Sequence, residues 1–109
     1  MTLLLADIYI LDDPGAVSVI IGEGTNRHDY LVVRFEGEIS VFENACPHQG
    51  TPLETLAGKF FNRDQTQLLC STHGAEFEIE TGFCTIGPCK GEKLRAAPFR
   101  LEGATLYLN

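Results

Sequence analysis

Two short segments that each hold one cysteine and one histidine constrain this chain more than any other feature. The first is Cys46-x-His48, and the second is Cys70-x-x-His73. Thiolate and neutral imidazole are strong ligands for zinc and for iron in iron–sulfur clusters. Two such segments in a chain of 109 residues indicate one metal site built from both. The fold must therefore place them side by side.

The ligand order separates two kinds of metal site. Two thiolates and two imidazoles suit either one tetrahedral zinc ion or a 2Fe-2S cluster with two ligands on each iron. Zinc sites in small domains usually put both cysteines on one segment and both histidines on the other. Here each segment carries one of each, at different spacings. This order favours the iron–sulfur cluster and leaves a structural zinc-binding module as the alternative.

The arrangement Cys-x-His … Cys-x-x-His resembles the Rieske iron–sulfur family. The resemblance covers roughly residues 17–108 and is most specific in residues 44–52 and 70–88. It implies one 2Fe-2S cluster whose buried iron is bound by two thiolates and whose outer iron is bound by two imidazoles that reach the surface. The implied ligands are Cys46, Cys70, His48 and His73.

The resemblance extends to the residues around the ligands. Gly50 and Gly74 match glycines that let the backbone approach the sulfides, and Pro88 matches a proline loop that covers the cluster. One departure is the spacing, since 21 residues separate His48 from Cys70, a few more than is usual in Rieske ferredoxins. We assign the extra residues to an enlarged excursion at 56–66.

Charge and hydrogen bonding predict where the reduction potential falls. Two ferric ions, two sulfides and two thiolates sum to zero, so histidine ligation favours electron uptake over four thiolates. High-potential family members add a disulfide between the two loops and two hydroxyl donors after the second loop. The matching residues here are Thr51, Thr72, Ala75 and Phe77. We therefore expect the lower part of the family range of about −150 to +300 mV.

Length and charge limit the domain organisation and the partners. The length predicts a single domain, 1–109, with 44–90 as its cluster-binding portion. The net charge is −7, and residues 1–55 hold nine acids and two bases. Phosphate binding needs a basic surface, so nucleic acid is excluded as a partner. The acidic half either maintains solubility or steers the protein toward a basic partner.

The apolar segments are too short for a membrane protein. No apolar run approaches the roughly 18 residues that a spanning helix needs. Residues 3–6 lack the basic flank of a secretory signal, and Asp7 ends the run. We expect a cytoplasmic protein with no membrane partner.

Short β-rich segments separated by turns predict an all-β chain. Two antiparallel hairpins are expected, one turning at Glu36-Gly37 and the other at Glu102-Gly103. The resemblance implies a Rieske-type fold, a small antiparallel β sandwich with a cluster-binding subdomain of two apposed loops. The predicted strands are residues 17–21, 30–35, 39–42, 67–69, 76–80, 99–101 and 105–108.

Three features allow more than one interpretation. Residues 53–63 fit a short helical turn or a strand at 59–61. Cys84 and Cys89 fit either two reduced thiols or a disulfide. A second metal site is the least favoured alternative, because no histidine accompanies these two cysteines. Residues 22–27 begin like a dinucleotide-binding motif but lack its third glycine, so they predict a polar turn with His28 at the surface.

The resemblance implies a one-electron carrier similar to small soluble Rieske-type ferredoxins. Its partners would be a flavin reductase and a terminal oxygenase or similar redox protein, docking over His48 and His73. An enzyme is not expected, because a mononuclear iron centre needs two further histidines and a carboxylate, and His28 is the one uncommitted histidine. The alternative is a small Rieske subunit, or a regulatory or sensor module, of a larger redox enzyme.

Overall fold

The structure is a computed structural model. It describes residues 2–45, 47, 60–70 and 74–109. Its regular structure consists of nine strands and two short 3-10 helices, at Ile8–Ile10 and Gly24–Asn26. Within this part of the chain, no helical segment could span a lipid bilayer. The strands are β1 (Thr2–Leu5), β2 (Gly15–Ile21), β3 (His28–Phe35), β4 (Glu38–Glu43), β5 (Gln67–Cys70), β6 (Ala75–Glu78), β7 (Cys84–Ile86), β8 (Phe99–Glu102) and β9 (Thr105–Leu108).

The strands form three antiparallel sheets of three strands each. Their orders are β1-β9-β8, β2-β3-β4 and β5-β6-β7. The last two are built from strands adjacent in sequence, as short turns require for antiparallel pairing. In the first sheet, the N-terminal strand pairs with the last strand of the chain. The all-β antiparallel prediction is confirmed.

The β2-β3-β4 sheet contributes to two hydrophobic clusters. Side chains alternate between the two faces of a strand, so Leu31 and Val33 contribute to one cluster and Val32 to the other. All three side chains have 0% exposure. The first cluster also contains the buried residues of the β5-β6-β7 sheet, and the second contains residues of the β1-β9-β8 sheet. This sheet therefore lies between the other two.

Both predicted hairpins are present, but the second turns one residue later than predicted. Glu102 ends β8 and pairs with Thr105, so its turn is at Gly103 and Ala104 rather than at Glu102-Gly103. The turn between β3 and β4 is at Glu36 and Gly37, where φ is positive at both residues, as a two-residue hairpin turn of the I′ type requires. Asp13 fixes this turn, because its carboxylate accepts hydrogen bonds from the backbone N–H groups of Glu36 (2.7 Å) and Gly37 (2.8 Å). His28 is exposed as predicted, but it begins strand β3 rather than belonging to the preceding turn.

The alternating pattern at residues 76–80 predicted correctly which side chains are buried, but it did not predict where the strand ends. Phe77 and Ile79 are buried, with 0% and 4% exposure, whereas Glu78 and Glu80 are exposed. The strand ends at Glu78, however, and the residues after it form a turn. Glu76 is half-buried because its carboxylate accepts a hydrogen bond of 2.8 Å from the Asn62 side chain.

The expected excursion between the two segments is compact where the structure describes it. Phe61 pairs with Leu68 in an isolated bridge, which places it beside β5. The Asn62 side-chain oxygen accepts hydrogen bonds from the backbone N–H groups of Thr66 and Gln67, at 2.9 and 3.2 Å. Residues 60–66 therefore include a tight turn against β5, and the rest of the segment, 53–59, lies outside the described residues.

Candidate metal centre

The structure describes part of the predicted site. Cys70, Gly74 and Pro88 are among the described residues. Ala75 and Phe77, which bear on the potential, are also described, and both have 0% exposure. The remaining predicted site residues, Cys46, His48, Gly50 and His73, and with them Thr51 and Thr72, lie outside the described residues.

Cys70 is a buried free thiol at the end of a strand. It has 0% exposure and is the last residue of β5. The sequence predicted that β5 ends at Leu69, so the strand extends one residue further and includes the cysteine. Its backbone pairs with Ala75, the first residue of β6, and its carbonyl accepts a hydrogen bond of 2.9 Å from Gly74. Cys70 thus lies on rigid sheet structure.

The proline loop, residues 87–91, packs against Ala75 at the start of β6. Gly87 has a φ of +103°, and a Cβ added there would lie 2.8 Å from the Cα of Ala75. Such a distance is shorter than real Cβ contacts, so the close approach requires glycine. Ala75 follows Gly74 directly, and the loop therefore lies against the backbone that leaves the second segment. Pro88 itself is exposed.

A buried asparagine fixes the chain just before the first Cys/His segment. Asn44 has 4% exposure, and its backbone N–H donates to the carbonyl of Asp29 at 2.9 Å. The preceding residue, Glu43, donates its backbone N–H to the carbonyl of Arg95 at 2.8 Å. Buried polar groups need such partners. Asn44 was not among the predicted site residues, although an asparagine at a strand end is a common structural signal.

The described residues fit a thiolate- and imidazole-bound cluster. No group of three or more metal-binding side chains occurs among them, since Cys70 is the one predicted ligand they include. A buried thiol suits an iron–sulfur cluster, because thiolate is the ligand that binds the iron of such clusters, and Cys70 is completely buried. The proline loop packs against Ala75, two residues after His73 in the sequence.

The sequence matches a known family over most of its length. The Rieske [2Fe-2S] domain matches residues 12–100. The chain belongs to the Rieske 2Fe-2S family. This Rieske protein is also 29% identical, over 105 residues, to the ferredoxin component of the alkene monooxygenase system of Xanthobacter autotrophicus, covering 94% of this chain and 78% of that protein.

Solved structures share the fold of this Rieske protein. The Sphingomonas yanoikuyae B1 ferredoxin has a TM-score of 0.74 at 24% identity, covering 100% of this chain and 98% of that one. A chain in the complex of reduced oxygenase and oxidised ferredoxin of carbazole 1,9a-dioxygenase also has a TM-score of 0.74, at 17% identity, with coverage of 99% and 90%.

The family match and the ferredoxin relatives confirm three predictions. The protein is a Rieske-family member, it carries one 2Fe-2S cluster, and it is an electron carrier rather than an enzyme. The family match thus favours the cluster over a structural zinc-binding module. The identity of the four ligands remains a prediction from the ligand order.

The close contact between Gly87 and Ala75 generates a testable prediction. Substituting Gly87→Ala should force the proline loop away from Ala75, because the new Cβ would lie 2.8 Å from the Ala75 Cα. We expect the purified variant to lose its visible cluster absorbance in air at least several-fold faster than the unchanged protein. The measurement is the decay of visible absorbance per protein with time.

Gly91→Ala provides the matched control. Gly91 lies in the same loop with a φ of +95°, but a Cβ there would meet nothing within 4 Å. Both substitutions therefore introduce similar backbone strain, and only the first introduces a steric clash. Equal decay rates in the two variants would show that the contact with Ala75 does not protect the cluster.

Proposed function

We propose that this protein carries single electrons from a flavin reductase to a terminal oxygenase. The match to the Rieske 2Fe-2S domain, which spans both Cys/His segments, carries the proposal. The names of the relatives support the partner class, since one is the ferredoxin component of a monooxygenase system and another is in a complex of ferredoxin with oxygenase. When bound, the cluster takes up and releases one electron.

The proposed ligands divide between the two Cys/His segments. Cys46 and Cys70 bind the inner iron as thiolates, and His48 and His73 bind the outer iron as imidazoles. The complete burial of Cys70 supports this assignment of the inner position. Gly50 and Gly74 allow close backbone approach, and Pro88 lies in the loop that covers the cluster. These residues fall within 44–90, the proposed cluster-binding portion of a single domain, 1–109.

The partners are proposed to dock over His48 and His73. The described surface next to the second segment includes Ile86, which has 51% exposure and precedes the proline loop. Its pairing with Glu76 places it beside the start of β6. Glu76 is three residues after His73 in the sequence, and an exposed apolar side chain at this position suits a small transient interface. We place the protein in the cytoplasm, a compartment in which a ligand thiol such as Cys70 is not lost to a permanent disulfide.

The reduction potential tests the absence of hydroxyl donors around the cluster. We expect a midpoint below 0 mV at neutral pH by redox titration. In Ala75→Ser, a hydroxyl donor at the serine position of high-potential relatives should stabilise the reduced state. A hydrogen bond worth about 1.4 kcal/mol corresponds to a rise of about 60 mV for a one-electron couple.

Ala97→Ser is the control for the potential measurement. Ala97 is also buried, at 7% exposure, but it belongs to the cluster formed with the β1-β9-β8 sheet. We expect no measurable change in its potential. A wild-type midpoint well above zero would contradict the low-potential site, and equal shifts in the two variants would contradict the specific effect of a hydroxyl at position 75.

Electron transfer to an oxygenase tests the proposed function and the docking surface together. Reduced protein would be mixed with oxidised terminal oxygenase from the same organism, and its reoxidation followed by stopped-flow absorbance without oxygen. We expect Ile86→Asp to raise the half-saturating oxygenase concentration by about tenfold, or about 1.4 kcal/mol, because the apolar contact is lost and the carboxylate loses part of its hydration at the interface.

Leu3→Asp is the matched control for docking. Leu3 has 50% exposure, close to the 51% of Ile86, but lies on β1 in a different sheet. We expect its half-saturating concentration to remain unchanged. Reoxidation no faster with oxygenase than without it would contradict the carrier function, whereas equal effects of the two substitutions would contradict only the docking surface.

A further inference from the structure

Two buried cysteines outside the predicted ligand set lie in direct contact. Cys84 and Cys89 have 1% and 2% exposure, and their Sγ atoms are 2.9 Å apart. The Cys84 thiol also donates a hydrogen bond of 3.3 Å to the carbonyl of Ile86. Since a disulfide has an S–S length of about 2.05 Å, bond formation requires the two sulfurs to approach by about 0.85 Å.

Backbone hydrogen bonds hold the two cysteines together independently of their side-chain rotamers. The Cys84 N–H donates to the carbonyl of Glu92 at 2.8 Å, and the Gly91 N–H donates to the carbonyl of Cys84 at 3.4 Å. The Glu92 N–H in turn donates to the carbonyl of Cys89 at 2.9 Å. The strand that carries Cys84 is thus joined to the end of the loop that carries Cys89.

The pair lies where a covalent link would act on the proline loop. Cys84 begins β7, Cys89 is within the loop, and Gly87 between them packs against Ala75. A link between Cys84 and Cys89 would close a small ring that contains this contact. The pair is separate from Thr51 and Thr72, the positions at which high-potential relatives have their disulfide.

We propose that Cys84 and Cys89 are a reversible disulfide site that locks the proline loop against Ala75. The oxidant is a low-molecular-weight disulfide, such as oxidised glutathione. The two cysteine thiols lose two electrons and two protons, an S–S bond forms between them, and the glutathione S–S bond breaks to give two glutathione thiols. Because both sulfurs are buried, the exchange requires transient opening of the loop and is slow.

Mass spectrometry of the cluster-loaded protein tests disulfide formation. The protein would be incubated for hours in mixtures of oxidised and reduced glutathione, quenched with acid, alkylated in denaturant and cleaved after glutamate. This cleavage gives peptide 81–92, whose only cysteines are Cys84 and Cys89, while Cys46 and Cys70 fall in peptides 44–54 and 55–76. No sequence change is needed.

We expect peptide 81–92 to lose two hydrogen masses as the share of oxidised glutathione rises, and to become doubly alkylated again on reduction. The peptides with Cys46 and Cys70 should remain alkylated and the visible absorbance unchanged. Double alkylation of peptide 81–92 at every glutathione ratio, or attachment of glutathione to one cysteine, would overturn the proposal. So would a disulfide that includes Cys46 or Cys70.

Hydrogen exchange tests whether the disulfide locks the loop. The amides of Lys90, Gly91 and Glu92, which are hydrogen-bonded to Gly87, Cys84 and Cys89, should exchange about tenfold more slowly in the disulfide form than in the dithiol form. Cys84→Ser carried through the same two treatments should show no difference. Equal exchange in the two forms of the unchanged protein would overturn the locking role.

Discussion

The burial of strand β3 on both faces is the constraint on which the rest of the structure depends. Leu31, Val32 and Val33 are consecutive and completely buried, although neighbouring side chains in a strand point to opposite faces. The two faces therefore need separate apolar layers. The β5-β6-β7 sheet completes the cluster on one face, and the β1-β9-β8 sheet completes the cluster on the other.

The first of these clusters connects the core to the redox site. It contains Phe42, which lies near the end of β4, the strand that leads to the first Cys/His segment. It also contains Cys70, the first residue of the second Cys/His segment. The same cluster contains Cys84 and Cys89, which support the proline loop. Burial in one core thus sets the positions from which both segments and the proline loop begin. Rigid sheet structure suits an electron carrier, since a site that changes little on reduction needs little reorganisation.

The sequence predicted the features that have a local cause. The turn at Glu36-Gly37 is encoded by short-range backbone preferences, and the alternation at Phe77 and Ile79 predicted their burial. Strand β1 was not predicted, because Thr2–Leu5 becomes a strand only by pairing with β9 at the other end of the chain. Strand β7 was missed as well, since it has three residues, Cys84–Ile86, and depends on pairing with β6.

The ligands of the site could be predicted from the sequence more fully than the contacts that hold the ligand segments in place. Ligand type and order within two short segments sufficed to identify the family, because each ligand must be a particular residue. The supports are contacts between distant parts of the chain, which no local pattern reveals. Examples are the approach of Gly87 to Ala75, the anchoring of Asn44 on Asp29 and the contact between Cys84 and Cys89.

Pulsed EPR of the reduced protein tests the central claim, that two cysteines and two histidines bind one 2Fe-2S cluster. Samples with natural and 15N-labelled histidine would be compared, and the account predicts couplings from two directly bound histidine nitrogens that change on labelling. A cluster without histidine couplings would contradict the assignment of His48 and His73, as would a colourless protein that contains zinc.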